Sequence, residues 1–176
     1  MNEYLDWEIE QGRVGAFYLG MTKEELVKKL EDMGVEYRYT CNGDRVEIHG
    51  LVFVFEPREN KAEEMVLQII FVGEGFRGKF KGRMGIGTIP CEMKGIEYYG
   101  EMWSDMYNLF ILPEFPGVTF SVEKKFFVSD QGPICWIRVT NEIALLNSAI
   151  EYREDEQLRE DSRELMEYFR SPEVDK

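Results

Sequence analysis

Glycines recur along this chain at one interval, and that interval limits the fold more than any other feature. Gly87 follows Gly20 by 67 residues, setting Ile86-Gly87-Thr88 against Leu19-Gly20-Met21. Gly117 follows Gly50 by 67, which aligns Gly50-Leu51-Val52-Phe53 with Gly117-Val118-Thr119-Phe120. Gly100 follows Gly34 by 66, and Ile137 follows Ile69 by 68. One glycine match carries little weight, but a shared spacing is the mark of a duplicated unit. The chain is therefore expected to be one domain built from two tandem repeats, about 12–77 and 82–140, followed by a helical extension over 141–170. Two copies are too few for a solenoid.

The unit itself is legible in the first copy. Val14, Phe17 and Leu19 lead to Gly20, and Thr22 with Glu25 three residues on makes a capping box. Leu26, Val27 and Leu30 give the helix an apolar stripe, Lys28 and Lys29 suit its C-terminal end, and Gly34 stops it. The second copy predicts a helix over 90–99 ended by Gly100.

Leu19-Gly20-Met21-Thr22 followed by Glu24-Glu25-Leu26 resembles the helix start of the β-lactamase inhibitory proteins, and a similar start occurs in outer-membrane assembly lipoproteins of the SmpA/OmlA type. Trp7-Glu8-Ile9 and the Gly12–Gly15 approach are similar to those of bacterial toxin-immunity proteins that share such a unit. The resemblance implies tandem repeats of a short helix plus antiparallel strands, with a concave sheet face that binds a protein. The second copy departs from it, because Ile89-Pro90-Cys91-Glu92 replaces the Met-Thr cap.

Charge narrows the partners. Net charge is −13, which disfavours nucleic acid and anionic membranes. Glu3, Asp6, Glu8 and Glu10 load the head, and eight acids against three arginines load residues 151–167. Cys41, Cys91 and Cys135 are widely spaced with no C-x-x-C and no leader, so they are expected to be reduced thiols in a cytoplasmic protein, with no cofactor or metal. No apolar run is long enough to span a membrane.

Alternation predicts strands at 5–9, 35–39 and 45–49, with Asn42-Gly43 as a turn, then at 51–55 and 65–72 around a polar loop over 56–64. The second copy predicts strands at 118–122, 124–128 and 134–139, and Ile143, Leu146, Ile150, Leu158, Leu165 and Phe169 set the helical period of the extension. The fold class is α+β, with the repeats sharing one sheet.

Gly73-Glu74-Gly75-Phe76-Arg77-Gly78 matches the dinucleotide fingerprint G-x-G-x-x-G, but no helix pattern follows it. It is read instead as a flexible connection between the repeats. Arg77, Lys79, Lys81 and Arg83 make it the one basic cluster, expected to lie against the acidic tail or to touch a partner. His49, the only histidine, has no nucleophile motif near it and is read as structural or exposed. No arrangement of residues identifies an enzyme.

The repeats compared face by face give the expected binding surface. Leu51, Phe53, Ile69 and Phe71 align with Val118, Phe120, Ile137 and Val139 on an apolar side, within a residue of the common offset. The other side collects Val52, Val54, Gln68, Thr119, Ser121, Trp136 and Arg138, and Trp and Arg are enriched at binding hot spots. An open face would carry Trp136 as its anchor; the alternative is a face covered by the C-terminal helix. A second surface is the insert over 101–115, where Trp103 and Tyr107 are partner-binding candidates and Phe110 and Leu112 are assigned to the core. The expected function is a non-enzymatic binding protein, an acidic immunity-type inhibitor of a basic toxin. A ligand-binding or regulatory domain is the alternative, and an enzyme the third.

Overall fold

The computed structural model describes residues 3–58, 61–90, 95–102, 107–115, 117–123 and 132–140; for residues 62, 97–102 and 107–108 it describes the backbone alone. The described chain is mostly antiparallel β-sheet with one short α-helix. A 3-10 turn, Glu3–Asp6, precedes a three-stranded sheet of β1 (Ile9–Glu10), β2 (Arg13–Val14) and β3 (Phe17–Tyr18). Helix α1 (Lys23–Asp32) follows, then β4 (Arg38–Thr40), β5 (Arg45–Ile48), β6 (Leu51–Arg58) and β7 (Lys61–Val72). The second half supplies β8 (Glu97–Met102), β9 (Tyr107–Ile111), β10 (Val118–Glu123) and β11 (Ile134–Thr140). These eight form one sheet in the order β4-β5-β6-β7-β11-β10-β9-β8: two four-stranded meanders joined by their last strands.

The two meanders keep one register. Leu51↔Val72, Val52↔Phe71, Phe53↔Ile70 and Val54↔Ile69 in β6/β7 become Val118↔Val139, Thr119↔Arg138, Phe120↔Ile137 and Ser121↔Trp136 in β10/β11 when 67 is added to both members. A bulge follows Val54 in one hairpin and Ser121 in the other, bypassing Gln68 and Cys135, again 67 apart. Connecting hydrogen bonds repeat as well. The Gly20 amide donates to the Leu67 carbonyl (2.7 Å) and the Gly87 amide to that of Ile134 (2.8 Å). The Gly73 and Thr140 amides donate to the Gly50 and Gly117 carbonyls, both at 2.9 Å. Gly20 and Gly87 have φ of 89° and 88°, a region that glycine enters without strain. Where the meanders meet, Phe71 pairs with Arg138, which puts two equivalent positions opposite one another.

One face of this sheet makes the core. Leu51, Phe53, Ile70, Val72, Val118, Phe120, Ile137 and Val139 are all buried, in one cluster with Leu26 and Leu30 of α1; Ile70 and Val72, not the expected Ile69 and Phe71, match Ile137 and Val139 on this face. Tyr4, Leu5, Ile9, Val14 and Phe17 from the N-terminal layer join them, as do Phe76, Phe80 and Met84 from the segment between the meanders. Helix α1 has the expected capping box: the Glu25 amide donates to Thr22 Oγ1 and the Thr22 amide to the Glu25 carboxylate. Gly34, at φ 65°, turns the chain out of it.

Several local expectations are corrected. Residues 5–9 are not one strand: Tyr4 and Leu5 are both buried, and two neighbours facing inward suit a helical turn rather than a two-residue period. The polar loop over 56–64 is instead largely hairpin, since β6 runs on to Arg58 and β7 starts at Lys61. Its charges pair across and along the hairpin: Glu64 Oε2 is 3.2 Å from Arg58 Nη1 on the facing strand and 3.5 Å from Lys61 Nζ on its own. The helix expected over 90–99 is overturned from residue 97 onward by β8, and Gly100 lies inside that strand. No Thr-x-x-Glu box starts a helix there, and Tyr98 and Tyr99 favour strand. Of the expected 101–115 insert, residues 101–102 belong to β8 and 107–111 to β9, with Phe110 buried and Leu112 packed against the core. The strand expected over 124–128, Cys91 and the helix expected over 141–170 lie outside the described residues.

The connection after β7 is built into the core rather than flexible. Its basic residues do not act as one patch either: Arg77 forms a bidentate pair with Asp6, Nε to Oδ1 at 2.7 Å and Nη2 to Oδ2 at 2.5 Å. That hydrogen bond, more than the opposing slight desolvation, holds the Asp6 carboxyl below its ordinary range. Lys81 places its ammonium 4.5 Å from the centre of the Phe115 ring.

Candidate binding cleft

The glycines of residues 73–78 have a steric purpose unrelated to a cofactor. A Cβ at Gly73 would lie 2.4 Å from Cζ3 of Trp136, and one at Gly75 would lie 2.4 Å from Nε2 of His49. At Gly78 it would lie 1.8 Å from the Trp7 carbonyl oxygen. Each glycine lets another group sit against its backbone, which is a reason for glycine independent of phosphate binding. The first two contacts build a site. The Trp136 indole and the His49 imidazole lie against Gly73 and Gly75, and Glu74, exposed, stands between those two glycines.

These groups share a cleft of about 890 Å³ that is open to solvent. Its wall is the β5–β6 turn, Ile48-His49-Gly50-Leu51, whose His49 carbonyl accepts from the Tyr4 hydroxyl at 3.2 Å. The chain leaving α1 adds Glu36, Tyr37 and Arg38 to the lining. Trp136 is half-buried, with its ring 6.3 Å from that of Phe71 in an edge-to-face arrangement. Polar and apolar groups line the cleft together, so it is not the enclosed apolar pocket that small ligands favour.

Arg38 is the arginine of the cleft, and Glu47 occupies it. Arg38 Nε donates to Glu47 Oε2 at 2.8 Å, its Nη2 lies 2.6 Å from the same oxygen, and Thr40 Oγ1 donates to Oε1 at 2.9 Å. Desolvation works to raise the Glu47 pKa, but the hydrogen bonds from Thr40 and Arg38 and the charges of Arg38 and Arg45 outweigh it, and the net shift is downward from 4.5. A carboxylate with a depressed folded pKa stabilises the fold above its unfolded pKa and stops doing so as pH falls through the folded value. Glu47→Gln should therefore lower the thermal midpoint slightly at neutral pH, with the gap to wild type closing as pH falls below about 4.5. Thermal melts of both proteins from neutral pH to pH 3 would check this, and a gap that widens in acid would contradict it. Tyr37 donates to Glu31 Oε1 at 3.2 Å; desolvation first, then this bond, pushes its phenol above 10, so it stays neutral.

Of the expected partner-binding residues, Trp136 lines this cleft, and the described side chains of Gln68, Thr119, Ser121 and Arg138 do not. Arg138 and Gln68 are half-buried along the same sheet. Thr119 and Ser121 are buried, at 1% and 0% exposure, so in this conformation they offer no surface to a partner. Their hydroxyl oxygens have no hydrogen-bond partner among the described residues. The face expected to be open is thus divided: its β10 hydroxyls are enclosed while Trp136 stays accessible. Tyr107 belongs to β9, where its backbone pairs with Glu123 and Met102; Trp103 lies outside the described residues.

Cys41 is an exposed free thiol, and Cys135 is a free thiol at the bulge, where burial raises its pKa against the hydrogen bonds that favour its thiolate. Among the described residues no group of three His, Cys, Asp or Glu is placed to hold a metal ion, and no helix is long and apolar enough to cross a membrane. Sequence reasoning set His49 aside and missed Glu74 and Tyr37. The signal for the first two was the Gly-Glu-Gly of residues 73–75, taken for a linker when it marked two close approaches. Comparison with known proteins returns no matching family model, no matching curated protein and no matching solved structure.

Proposed function

We propose that this chain is a non-enzymatic protein-binding module, a cytoplasmic immunity-type inhibitor that sequesters a basic toxin in the cleft around Trp136. The observation that carries the reading is an accessible indole, braced by Phe71 and Gly73, in an open cleft with exposed carboxylates on a chain of net charge −13. Large aromatic anchors dominate binding energy, and complementary charge speeds encounter with a basic partner. The same reading takes the meanders as products of a tandem duplication, supported by the constant register offset of 67, the matched bulges and the matched glycine bonds. The copies have since diverged at the cleft. Trp136 and Gly73 stand where the other end of the sheet has Ile69 and Thr140, so the anchor occurs at one end of a near-symmetric frame. The alternative, a small-ligand or regulatory domain, has only the volume of the cleft in its favour.

Trp136→Ala tests the reading. Loss of a central aromatic anchor costs about 2 kcal/mol or more, roughly thirtyfold in affinity. The thermal midpoint should stay within a few degrees of wild type, because the indole is only half-buried. Immobilised wild type should retain a basic protein from extract of the native cells, with retention falling as salt rises, and the variant should lose it. If no protein distinguishes the two columns, or if the variant unfolds at the cost of a core tryptophan, the reading is wrong.

A further inference from the structure

We propose that the group seated in the cleft is a guanidinium, an arginine side chain of the partner held on Glu74 between the rings of Trp136 and His49. This rests on the protein-binding reading and names the chemistry of its anchor point. Three observations converge on it. Trp136 and His49 lie against the backbones of Gly73 and Gly75, so a flat ring abuts the neighbour on either side of one residue. That residue is Glu74, exposed and lining the same cleft, and among the described residues it has no ion-pair partner. The cleft's own arginine, Arg38, is already held by Glu47, which leaves Glu74 and Glu36 as its uncompensated charges.

A guanidinium suits this arrangement better than an ammonium. It is planar and weakly hydrated, can stack on an aromatic face and can offer two parallel N–H donors to one carboxylate. A lysine would keep the charge attraction but lose the stacking and the fork. Citrulline, a neutral planar isostere of arginine, would keep the shape and lose the charge. The contribution of Trp136 is then cation–π contact together with burial of the arginine's methylene stem.

The test uses the full chain labelled with nitrogen-15 and a blocked Gly-Gly-Arg-Gly-Gly peptide, followed by amide chemical shifts. Saturable shifts are expected at Gly73, Glu74, Gly75 and the Trp136 indole N–H. The lysine peptide should bind several-fold more weakly, and the citrulline peptide and the Glu74→Gln protein should each lose about tenfold, the effect of one charge-assisted bond. Glu74 is exposed, so Glu74→Gln should melt as wild type does. Equal binding of the arginine and citrulline peptides, equal binding of arginine and lysine, or shifts confined to residues outside the cleft would overturn the proposal. Its failure is separable from that of the broader reading. A native partner lost with Trp136→Ala but indifferent to Glu74→Gln would leave the module reading standing and remove the arginine. Arginine binding with no protein retained would do the reverse.

Discussion

Phe53→Ala and Phe120→Ala should each lower the unfolding free energy by about 3–5 kcal/mol, the usual result of truncating a fully buried phenylalanine. Both side chains are 0% exposed and both occupy the third position of a register shared at the offset of 67. Phe53 meets Phe17 of the N-terminal layer at 4.8 Å between ring centres, edge to face. Phe120 meets Phe80 of the inter-meander segment at 6.1 Å. Each truncation therefore removes a ring contact between the sheet and a different covering segment, while the backbone pairing of the sheet is untouched. In a chain of 176 residues, each kcal/mol shifts the thermal midpoint by roughly 2–4 °C, so drops of about 6–20 °C are expected. Urea unfolding followed by circular dichroism would give the free energies directly. A cost below about 1 kcal/mol at either site would mean that its meander has no shared core to lose.

How much of this was readable beforehand depended on whether a feature is local or long-range. The capping box of α1 was legible because Thr22 and Glu25 are three residues apart and each satisfies the other's backbone. The matching places of the Leu51 and Val118 strands were legible because glycine carries backbone information that other residues blur. Tyr98 and Tyr99 were misjudged by transferring the pattern of helix α1 onto a segment that lacks its cap. The 3-10 turn at Glu3–Asp6 was misjudged because a short apolar alternation fits either period. The cleft was hardest to see. Trp136, His49, Glu74 and Tyr37 come from four separate stretches, brought together by β7 pairing with β11 on one side and by the β4-β5-β6 hairpins on the other. Burial of Thr119 and Ser121 was invisible too, since alternation along β10 assigns a face to a residue but does not say whether that face is covered.

Gly78→Ala should cost about 3 kcal/mol, the upper end of what overpacking usually exacts, although it adds a single methyl group. Nothing about the backbone conformation forbids alanine, for Gly78 is not among the positive-φ glycines. The obstacle is space. The new Cβ would lie 1.8 Å from the Trp7 carbonyl oxygen, 2.9 Å from its carbon and 2.6 Å from Cε1 of Phe76. A side chain could rotate away, but this carbonyl sits on a strap stitched to the same segment. Both the Arg77 and Gly78 amides donate to the Leu5 carbonyl, at 2.7 and 3.0 Å, and the Ile9 amide donates to Lys79 at 3.2 Å. Moving Trp7 therefore strains bonds on either side of it and disturbs Tyr4 and Leu5, which are core residues. Gly82→Ala is the informative control, with φ of 66° and nothing within 4 Å of a Cβ. It should lose only about 1 kcal/mol, the cost of a left-handed alanine. Chemical denaturation of the two variants beside wild type reads the difference. If Gly78→Ala proves as mild as Gly82→Ala, the N-terminal strap is not fixed against this segment, and the rigid placement of Glu74 four residues earlier loses its physical basis.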